Sequence, residues 1–222
     1  MSDRMTCPVV GLVGGVGSGK STLTRRAADL FGLAAIDGDA AGHRALDDHD
    51  VKVQIRRHFG DSVFTREGTI HRSALARRVF GSSTGHESDK AALERITHPF
   101  IRSEFRERIA AANAAGAAAI LLDAAVLLEA GWREFCDAVL FIDAPEHLRW
   151  SRIADRGWSE AAWRRREASQ LPLDDKRRLA DASIDNSGAL DDAAEALAGA
   201  IERICDVRLS RAAAVHTQHA PT

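Results

Sequence analysis

One octet near the start of the chain combines glycines, a lysine and a serine at the spacing of a phosphate-binding loop. It fits G-x-x-x-x-G-K-[ST] and reads Gly14-Gly15-Val16-Gly17-Ser18-Gly19-Lys20-Ser21. Glycines let backbone N–H groups turn toward phosphate oxygens, because no Cβ blocks the approach. Lys20 adds a positive charge for the β- and γ-phosphates, and Ser21 adds a hydroxyl that suits Mg²⁺. The octet therefore predicts a site for a nucleoside triphosphate.

The residues on both sides of this loop predict the elements that must position it. The apolar run Val9-Val10-Gly11-Leu12-Val13 is typical of a buried parallel strand. After the octet, apolar side chains recur at helical spacing, at Leu23, Ala27, Leu30 and Phe31. Strand, glycine loop and helix is the context in which such a loop binds phosphate.

Two carboxylates follow the next predicted strand. Leu33-Ala34-Ala35-Ile36 ends at Asp37-Gly38-Asp39, and ligands collect at the carboxyl ends of strands in parallel sheets. Two interpretations of Asp37 stay open: it has a chemical role, or it is the N-cap of a helix that begins near Ala40. For Asp39 we favour a chemical role.

The segment 40–116 is predicted to be mainly helical and to form a lobe inserted between strands. Val51, Ile55 and Phe59 share a helical face, and the composition of 81–85 predicts a loop. We expect Pro99 to interrupt one helix and to open another at its first position, because proline lacks the N–H that a helix interior uses. Small P-loop kinases bind their second substrate in such a lobe.

A later strand, 117–122, ends in Asp123, which is the pattern of a carboxylate that orients Mg²⁺. Another apolar strand, 138–142, precedes a helix on which Arg149, Arg152 and Arg156 share one face. Either this face is solvated, or it belongs to a lid that brings cations to a transferring phosphoryl group.

Composition limits the classes of protein to which this chain can belong. The chain has 222 residues and a formal net charge of −2, which argues against a general nucleic-acid binder. It has 3 cysteines, at positions 7, 136 and 205, with no pairing pattern, so we expect a reducing, cytoplasmic compartment. No membrane segment is predicted. We expect a monomer or weak homo-oligomer.

The order of these motifs resembles the dephospho-CoA kinase family from about position 9 to about position 204. The matching stretches are the octet, Asp37-Gly38-Asp39, Arg72-Ser73-Ala74-Leu75, His98-Pro99, Asp123 through Glu129, Arg152 with Arg156, Gln170, and Ala180-Asp181 running into Ile184-Asp185-Asn186-Ser187-Gly188. One departure is visible, since Ala125 and Val126 stand where the family usually has proline and leucine.

The resemblance implies a fold and a set of roles. The fold is a P-loop-type α/β domain over 1–207, in which helices flank a parallel sheet. Its parts are a core (8–39 and 117–206), a helical insertion (about 40–116), a lid (about 150–172) and a frayed tail (208–222). The implied catalytic residues are Lys20, Asp39 as the base and Arg152. The implied ATP-binding residues are Gly14, Gly15, Val16, Gly17, Ser18, Gly19, Lys20, Ser21, Thr22, Arg156 and Asn186. The implied acceptor-binding residues are Asp39, His98, Arg102, Leu127 and Glu129, and the implied Mg²⁺ ligands are Ser21 and Asp123.

The predicted reaction is transfer of the γ-phosphoryl group of MgATP to the ribose 3′-hydroxyl of dephospho-CoA. Its partners would be ATP and dephospho-CoA, with neither nucleic acid nor membrane. One alternative is another small-molecule P-loop kinase that acts on a nucleotide or nucleoside. A switch GTPase is a second alternative, but the chain lacks the Asn-Lys-x-Asp motif that reads guanine.

Overall fold

The computed structural model describes residues 7–80 and 86–212. Within them, five strands and nine helices follow one another in chain order. The elements are β1 (Val9–Gly14), α1 (Lys20–Phe31), β2 (Ala34–Asp37), α2 (Gly38–Ala45), α3 (His49–Phe59), α4 (Arg72–Phe80), α5 (His86–Ala114), β3 (Ile120–Asp123), β4 (Ala138–Asp143), α6 (Glu146–Ala154), α7 (Glu160–Ala168), α8 (Leu173–Leu179), β5 (Ala182–Asp185) and α9 (Leu190–Cys205). Two short 3₁₀ helices cover Asp61–Val63 and Trp132–Phe135.

The strands form one sheet in the order β2-β3-β1-β4-β5. β1 lies in the middle, runs parallel to β3 and β4, and is buried along its whole length. Each return to a parallel strand needs a crossover, which explains why α-helices join most of the strands, although β3 and β4 are joined by a segment with only a short 3₁₀ helix. The predicted α/β fold with a parallel sheet flanked by helices is confirmed.

α1 and α9 pack on the sheet through apolar faces. Leu23 and Ala27 of α1 are fully buried, as are Ala194 and Leu197 of α9. Burying one leucine stabilises the fold by about 1.5–3 kcal/mol. This packing holds the start of α1 beside the end of β1, and so determines where the loop between them lies.

The chain divides into two compact units. One is made by the chain up to Ile36 and from Ala112 onward, and the other by Asp37–Ala111. The second unit has a core of its own, in which the predicted face of Val51, Ile55 and Phe59 is buried. The sequence analysis placed the insertion at 40–116. The predicted loop 81–85 lies outside the described residues.

The prediction for Pro99 is wrong. α5 is one helix of 29 residues, and Pro99 lies inside it. A proline removes one helical hydrogen bond, but the apolar side of α5 continues past it. Ile96 and Phe100 pack against the core of the insertion on either side of Pro99, while Ile101 and Phe105 are buried. This packing keeps the helix continuous.

The tail was predicted to be frayed from residue 208, but its first residues make contacts in the structure. Ala212 donates its backbone N–H to the Leu30 carbonyl at 2.7 Å, and Arg211 pairs with Glu195 of α9. The described part of the tail, 208–212, therefore contacts both α1 and α9, although it has no helix or strand. The rest of the predicted tail lies outside the described residues.

Candidate active site

The loop between β1 and α1 surrounds a cavity of about 250 Å³. The residues that line it are Gly17, Ser18, Gly19, Lys20, Ser21, Thr22, Arg25 and Arg156. Gly19 is the N-cap of α1 and caps it with no side-chain hydrogen bond. The first N–H groups of the helix and its positive dipole end therefore face the loop, an arrangement that binds anions.

Glycine is required at two positions of this loop. Gly17 and Gly19 have φ values of +86° and +87°, in the left-handed region that side chains rarely adopt. A Cβ on Gly17 would lie 2.3 Å from the Arg149 carbonyl oxygen, and one on Gly19 would lie 2.6 Å from Asn186 Nδ2. The glycines therefore serve the close approach of neighbouring elements as well as that of a phosphate.

Three cations surround this cavity. The Lys20 ammonium lies over the loop, with Nζ donating to the carbonyls of Gly14 at 3.2 Å and Gly15 at 3.4 Å. Arg156 also lines the cavity and is exposed, and its contact with the nucleotide stays a prediction. Arg25, on the second turn of α1, also lines it. A lysine and two arginines suit a ligand with several negative charges.

Arg152 and Asn186 meet on the outer side of the loop. Arg152 donates to the Ser18 carbonyl at 3.1 Å and to the Asn186 carbonyl at 2.8 Å, while Asn186 Nδ2 donates to the same Ser18 carbonyl at 2.7 Å. Arg152 is not among the described residues that line the cavity. In this structure the Arg152 guanidinium holds backbone carbonyls, and its catalytic role stays a prediction.

A second carbonyl of the loop is held in the same way. Trp163 Nε1 donates to the Val16 carbonyl at 3.1 Å, and Arg149 Nη1 donates to it at 3.4 Å. Arg149 is 5% exposed and forms an ion pair with Glu167. Arg149 is therefore a buried contact of the loop and not part of a solvated arginine face.

Ser21 and Asp123 offer the oxygen donors that Mg²⁺ prefers. Ser21 lies exposed in the first turn of α1, and Asp123 ends β3, opposite Leu12 of the neighbouring β1. The described residues contain no group of three or more His, Cys, Asp or Glu side chains that could hold a metal ion. A hydroxyl and a carboxylate fit Mg²⁺ when phosphate and water oxygens complete its shell, as is usual at nucleotide sites.

The segment after β3 is held by a buried lysine that the sequence analysis missed. Lys176 is 1% exposed, and its Nζ lies 3.0 Å from Glu129 Oε1 and 2.8 Å from Gln170 Oε1. Glu129 also accepts the Leu171 N–H at 2.9 Å. Leu127, predicted to bind the acceptor, is fully buried and packs near Gly11. Its side chain cannot contact a bound ligand, which corrects that prediction.

In the second unit, Asp37 and Asp39 differ in their contacts. Asp37 is the N-cap of α2, and its carboxylate accepts the Ala40 N–H at 2.9 Å. The capping alternative for Asp37 is thus confirmed. Asp39 is exposed in the first turn of α2, where a carboxylate interacts favourably with the helix dipole.

His98 and Arg102 lie one turn apart on α5. Burial lowers the pKa of His98, a nearby Glu94 opposes this change, and Arg102 lowers the pKa further. His98 is therefore held neutral at pH values where an exposed histidine begins to protonate. A neutral imidazole beside an arginine can both donate and accept hydrogen bonds.

No short motif identifies the side chains that the sequence analysis missed. Trp163 and Lys176 reach the site through tertiary packing, whereas Arg25 lies four residues after Ser21 on the same helix. The only sequence pattern close to these contacts is the spacing of three arginines, in which Arg149 precedes Arg152 by three residues and Arg156 by seven. That spacing placed all three on one face but could not tell which part of the face is buried.

The comparisons with known proteins agree with the resemblance. The family profile of dephospho-CoA kinase matches residues 8–192. A dephospho-CoA kinase from Corynebacterium diphtheriae is 38% identical over 185 residues, which cover 82% of this chain and 90% of that protein. One from Carboxydothermus hydrogenoformans is 34% identical over 193 residues, with 86% and 91% covered.

Solved structures show the same architecture. TT1252 from Thermus thermophilus has a TM-score of 0.75 at 30% identity, covering 90% of this chain and 99% of that one. The dephospho-CoA kinase from Campylobacter jejuni has a TM-score of 0.56 at 24% identity, covering 90% and 98%, which shows the fold alone. The predicted family is confirmed, because its profile matches most of the chain and relatives more than 30% identical extend over it: the chain belongs to the dephospho-CoA kinase family.

Proposed function

We propose that this chain transfers the γ-phosphoryl group of MgATP to the 3′-hydroxyl of dephospho-CoA, giving coenzyme A and ADP. The match of residues 8–192 to the family carries the proposal. The loop cavity, with its exposed helix N-terminus and three cations, supports the ATP half of the reaction.

In this reaction a bond forms between the 3′-oxygen and the γ-phosphorus, and the bond from that phosphorus to the bridging oxygen of ADP breaks. Backbone N–H groups of the loop bind the phosphates. Lys20 and Arg156 balance the charge that develops on the transferring group. Asn186 and Arg152 hold the loop itself, through the Ser18 carbonyl. Positioning and charge therefore supply most of the rate.

Mg²⁺ is part of the proposal, with Ser21 and Asp123 as its ligands. It would neutralise charge on the β- and γ-phosphates. Thr22, which follows Ser21 at the cavity, is proposed as a further phosphate contact.

On the acceptor side, Asp39 takes the proton of the 3′-hydroxyl and passes it to solvent. A positioned base of this kind contributes roughly 10²–10⁴-fold to the rate. His98 and Arg102 are proposed to contact the acceptor, since a neutral imidazole and a guanidinium suit its phosphate and hydroxyl oxygens. The Glu129 carboxylate already pairs with Lys176 and accepts the Leu171 N–H. Its proposed role toward the acceptor is therefore indirect: it holds the segment that follows β3.

The test is a phosphotransfer assay with product identification. The protein is incubated with MgATP and dephospho-CoA, and mass spectrometry should show one phosphate added to the acceptor. 3′-Deoxy-dephospho-CoA should remain unchanged, and adenosine or AMP should compete poorly. Equal turnover of adenosine or AMP would favour a nucleotide or nucleoside kinase, and phosphorylation of the 3′-deoxy compound would rule out the 3′-hydroxyl as the acceptor.

A further inference from the structure

The Val16 carbonyl is the meeting point of two helices and the phosphate-binding loop. It accepts the indole N–H of Trp163, from α7, at 3.1 Å, and a guanidinium N–H of Arg149, from α6, at 3.4 Å. A loop carbonyl with two side-chain donors is held in one direction. The direction of this carbonyl matters because the Gly17 N–H belongs to the same peptide group.

The peptide unit between Val16 and Gly17 is planar and trans, like every peptide bond in the described part of the chain. In a trans unit the C=O and the following N–H point in opposite directions. When Trp163 holds the Val16 oxygen on the outer side of the loop, the Gly17 N–H must point to the inner side. Gly17 lines the cavity there.

The same logic applies two peptide groups further along the loop. Arg152 and Asn186 hold the Ser18 carbonyl, which directs the Gly19 N–H inward. Successive inward N–H groups form the concave anion site that P-loops use. The N–H groups at Gly17 and Gly19 thus depend on side chains behind the loop.

Trp163 is itself firmly held. It is 1% exposed, and its ring lies 5.5 Å from that of Trp150 in a tilted arrangement. The Arg149 guanidinium lies 5.4 Å above the Trp163 ring and is paired with Glu167, one turn further along α7. The ring therefore has little freedom, so its N–H is preorganised toward the Val16 carbonyl.

We propose that Trp163 is a positioning residue for nucleotide binding, which holds the Gly17 N–H toward the β-phosphate through the Val16 carbonyl. The inference rests on the proposed function, because it takes the bound anion to be a nucleoside triphosphate. The proposal also implies that the packing of α7 against the loop and the affinity for ATP depend on each other.

The test removes the indole donor and keeps the ring. Trp163→Phe should weaken binding of ATP and ADP by roughly three- to tenfold, the effect of losing one hydrogen bond. Binding of AMP, which has no β-phosphate, and the KM for dephospho-CoA should stay near wild type. A residue with only a structural role would instead lower the melting temperature and disturb all ligands alike.

Trp158→Phe is the matched control, because Trp158 precedes α7 and is 41% exposed. It should leave every constant unchanged. If Trp163→Phe binds ATP and ADP as tightly as wild type, the inference is overturned. If the wild type binds ATP but does not phosphorylate dephospho-CoA, the proposed function fails while the inference about Trp163 can still be judged from binding.

A second measurement covers the case in which Trp163→Phe does not fold. The chain has 4 tryptophans, so the indole N–H resonance of Trp163 can be assigned by elimination in Phe variants of the other three. A non-hydrolysable ATP analogue should shift this resonance in the wild type and leave that of Trp158 in place. An unchanged Trp163 resonance at saturation would overturn the inference.

Discussion

Asp37 and Asp39 are two residues apart and have the same side chain, yet the structure gives them different contacts. The Asp37 carboxylate satisfies a backbone N–H at the start of α2. The Asp39 carboxylate has no hydrogen bond or ion pair to another described residue. A carboxylate with no structural contact is available to take a proton.

We therefore expect Asp39→Asn to lower kcat by roughly 10²–10⁴-fold and to leave the affinity for ATP nearly unchanged. Asp37→Asn is the control. Asparagine also caps helices well, so the free energy of unfolding should fall by about 1 kcal/mol or less, and kcat should stay near wild type. Steady-state kinetics and nucleotide titration measure both effects. Equal, modest losses in the two variants would show that neither carboxylate is the base, and loss of ATP binding in Asp39→Asn would place it at the metal.

Residues in a fixed local pattern could be identified from sequence, and residues that act through tertiary packing could not. Lys20 and Ser21 have a set place in the octet, because loop geometry determines where they lie. Trp163 contacts the loop from 147 positions away, and nothing in its own neighbourhood indicates this. Leu127 shows the opposite error, because a motif position was read as a ligand contact although the side chain belongs to the core.

At the scale of elements, the start of α8 is tied to the segment that follows β3 by Lys176. A fully buried ammonium is unfavourable unless it is paired and hydrogen-bonded. Here Glu129 and the Gln170 side chain surround it, and the Ala125 carbonyl lies 3.4 Å away. Ala125 stands where the family usually has proline, and the Lys176 contact holds the carbonyl of this residue.

We expect Lys176→Met to lower the free energy of unfolding by about 2–3 kcal/mol, because it leaves the Glu129 carboxylate half-buried without its cation. The double variant with Glu129→Gln should recover part of the loss, since glutamine still accepts the Leu171 N–H. Arg178→Met, at a side chain of the same helix that is 77% exposed, should change little. Urea unfolding compares the three variants, and a loss below about 0.5 kcal/mol in Lys176→Met would mean that the buried pair does not stabilise the segment.

Element boundaries were predicted well where local chemistry sets them. Asp37 caps α2 through the Ala40 N–H, which was one of the two interpretations of that residue. At Pro99 the local rule failed, because proline predicts a break and the packing of α5 on both sides of it outweighs one missing hydrogen bond. Tertiary contacts of this kind are not visible in a short window of sequence.

The charges of the whole molecule are nearly balanced, with 30 Lys and Arg against 32 Asp and Glu residues. Affinity for a polyanion must therefore come from a local arrangement and not from the overall field. The loop cavity provides one, with Lys20, Arg25 and Arg156 beside a helix N-terminus.

In the described part of the chain, no helix has the length and apolar character needed to cross a membrane.

Binding at this local site should stabilise the whole chain by mass action. A ligand at 100 times its Kd adds about 2.7 kcal/mol to the free energy of unfolding, so MgATP should raise Tm by several degrees. Lys20→Ala should change the Tm of the free protein little, because Lys20 lines the cavity and is not one of the side chains of the apolar core. The same variant should lose most of the shift with MgATP and nearly all turnover. Removing Mg²⁺ with EDTA should reduce the shift of the wild type, since the proposed ligands Ser21 and Asp123 would then have no ion to share with the phosphates. Calorimetry of wild type and variant, with and without MgATP, measures all of these shifts. A full shift in Lys20→Ala would mean that the nucleotide binds somewhere other than the loop that precedes α1.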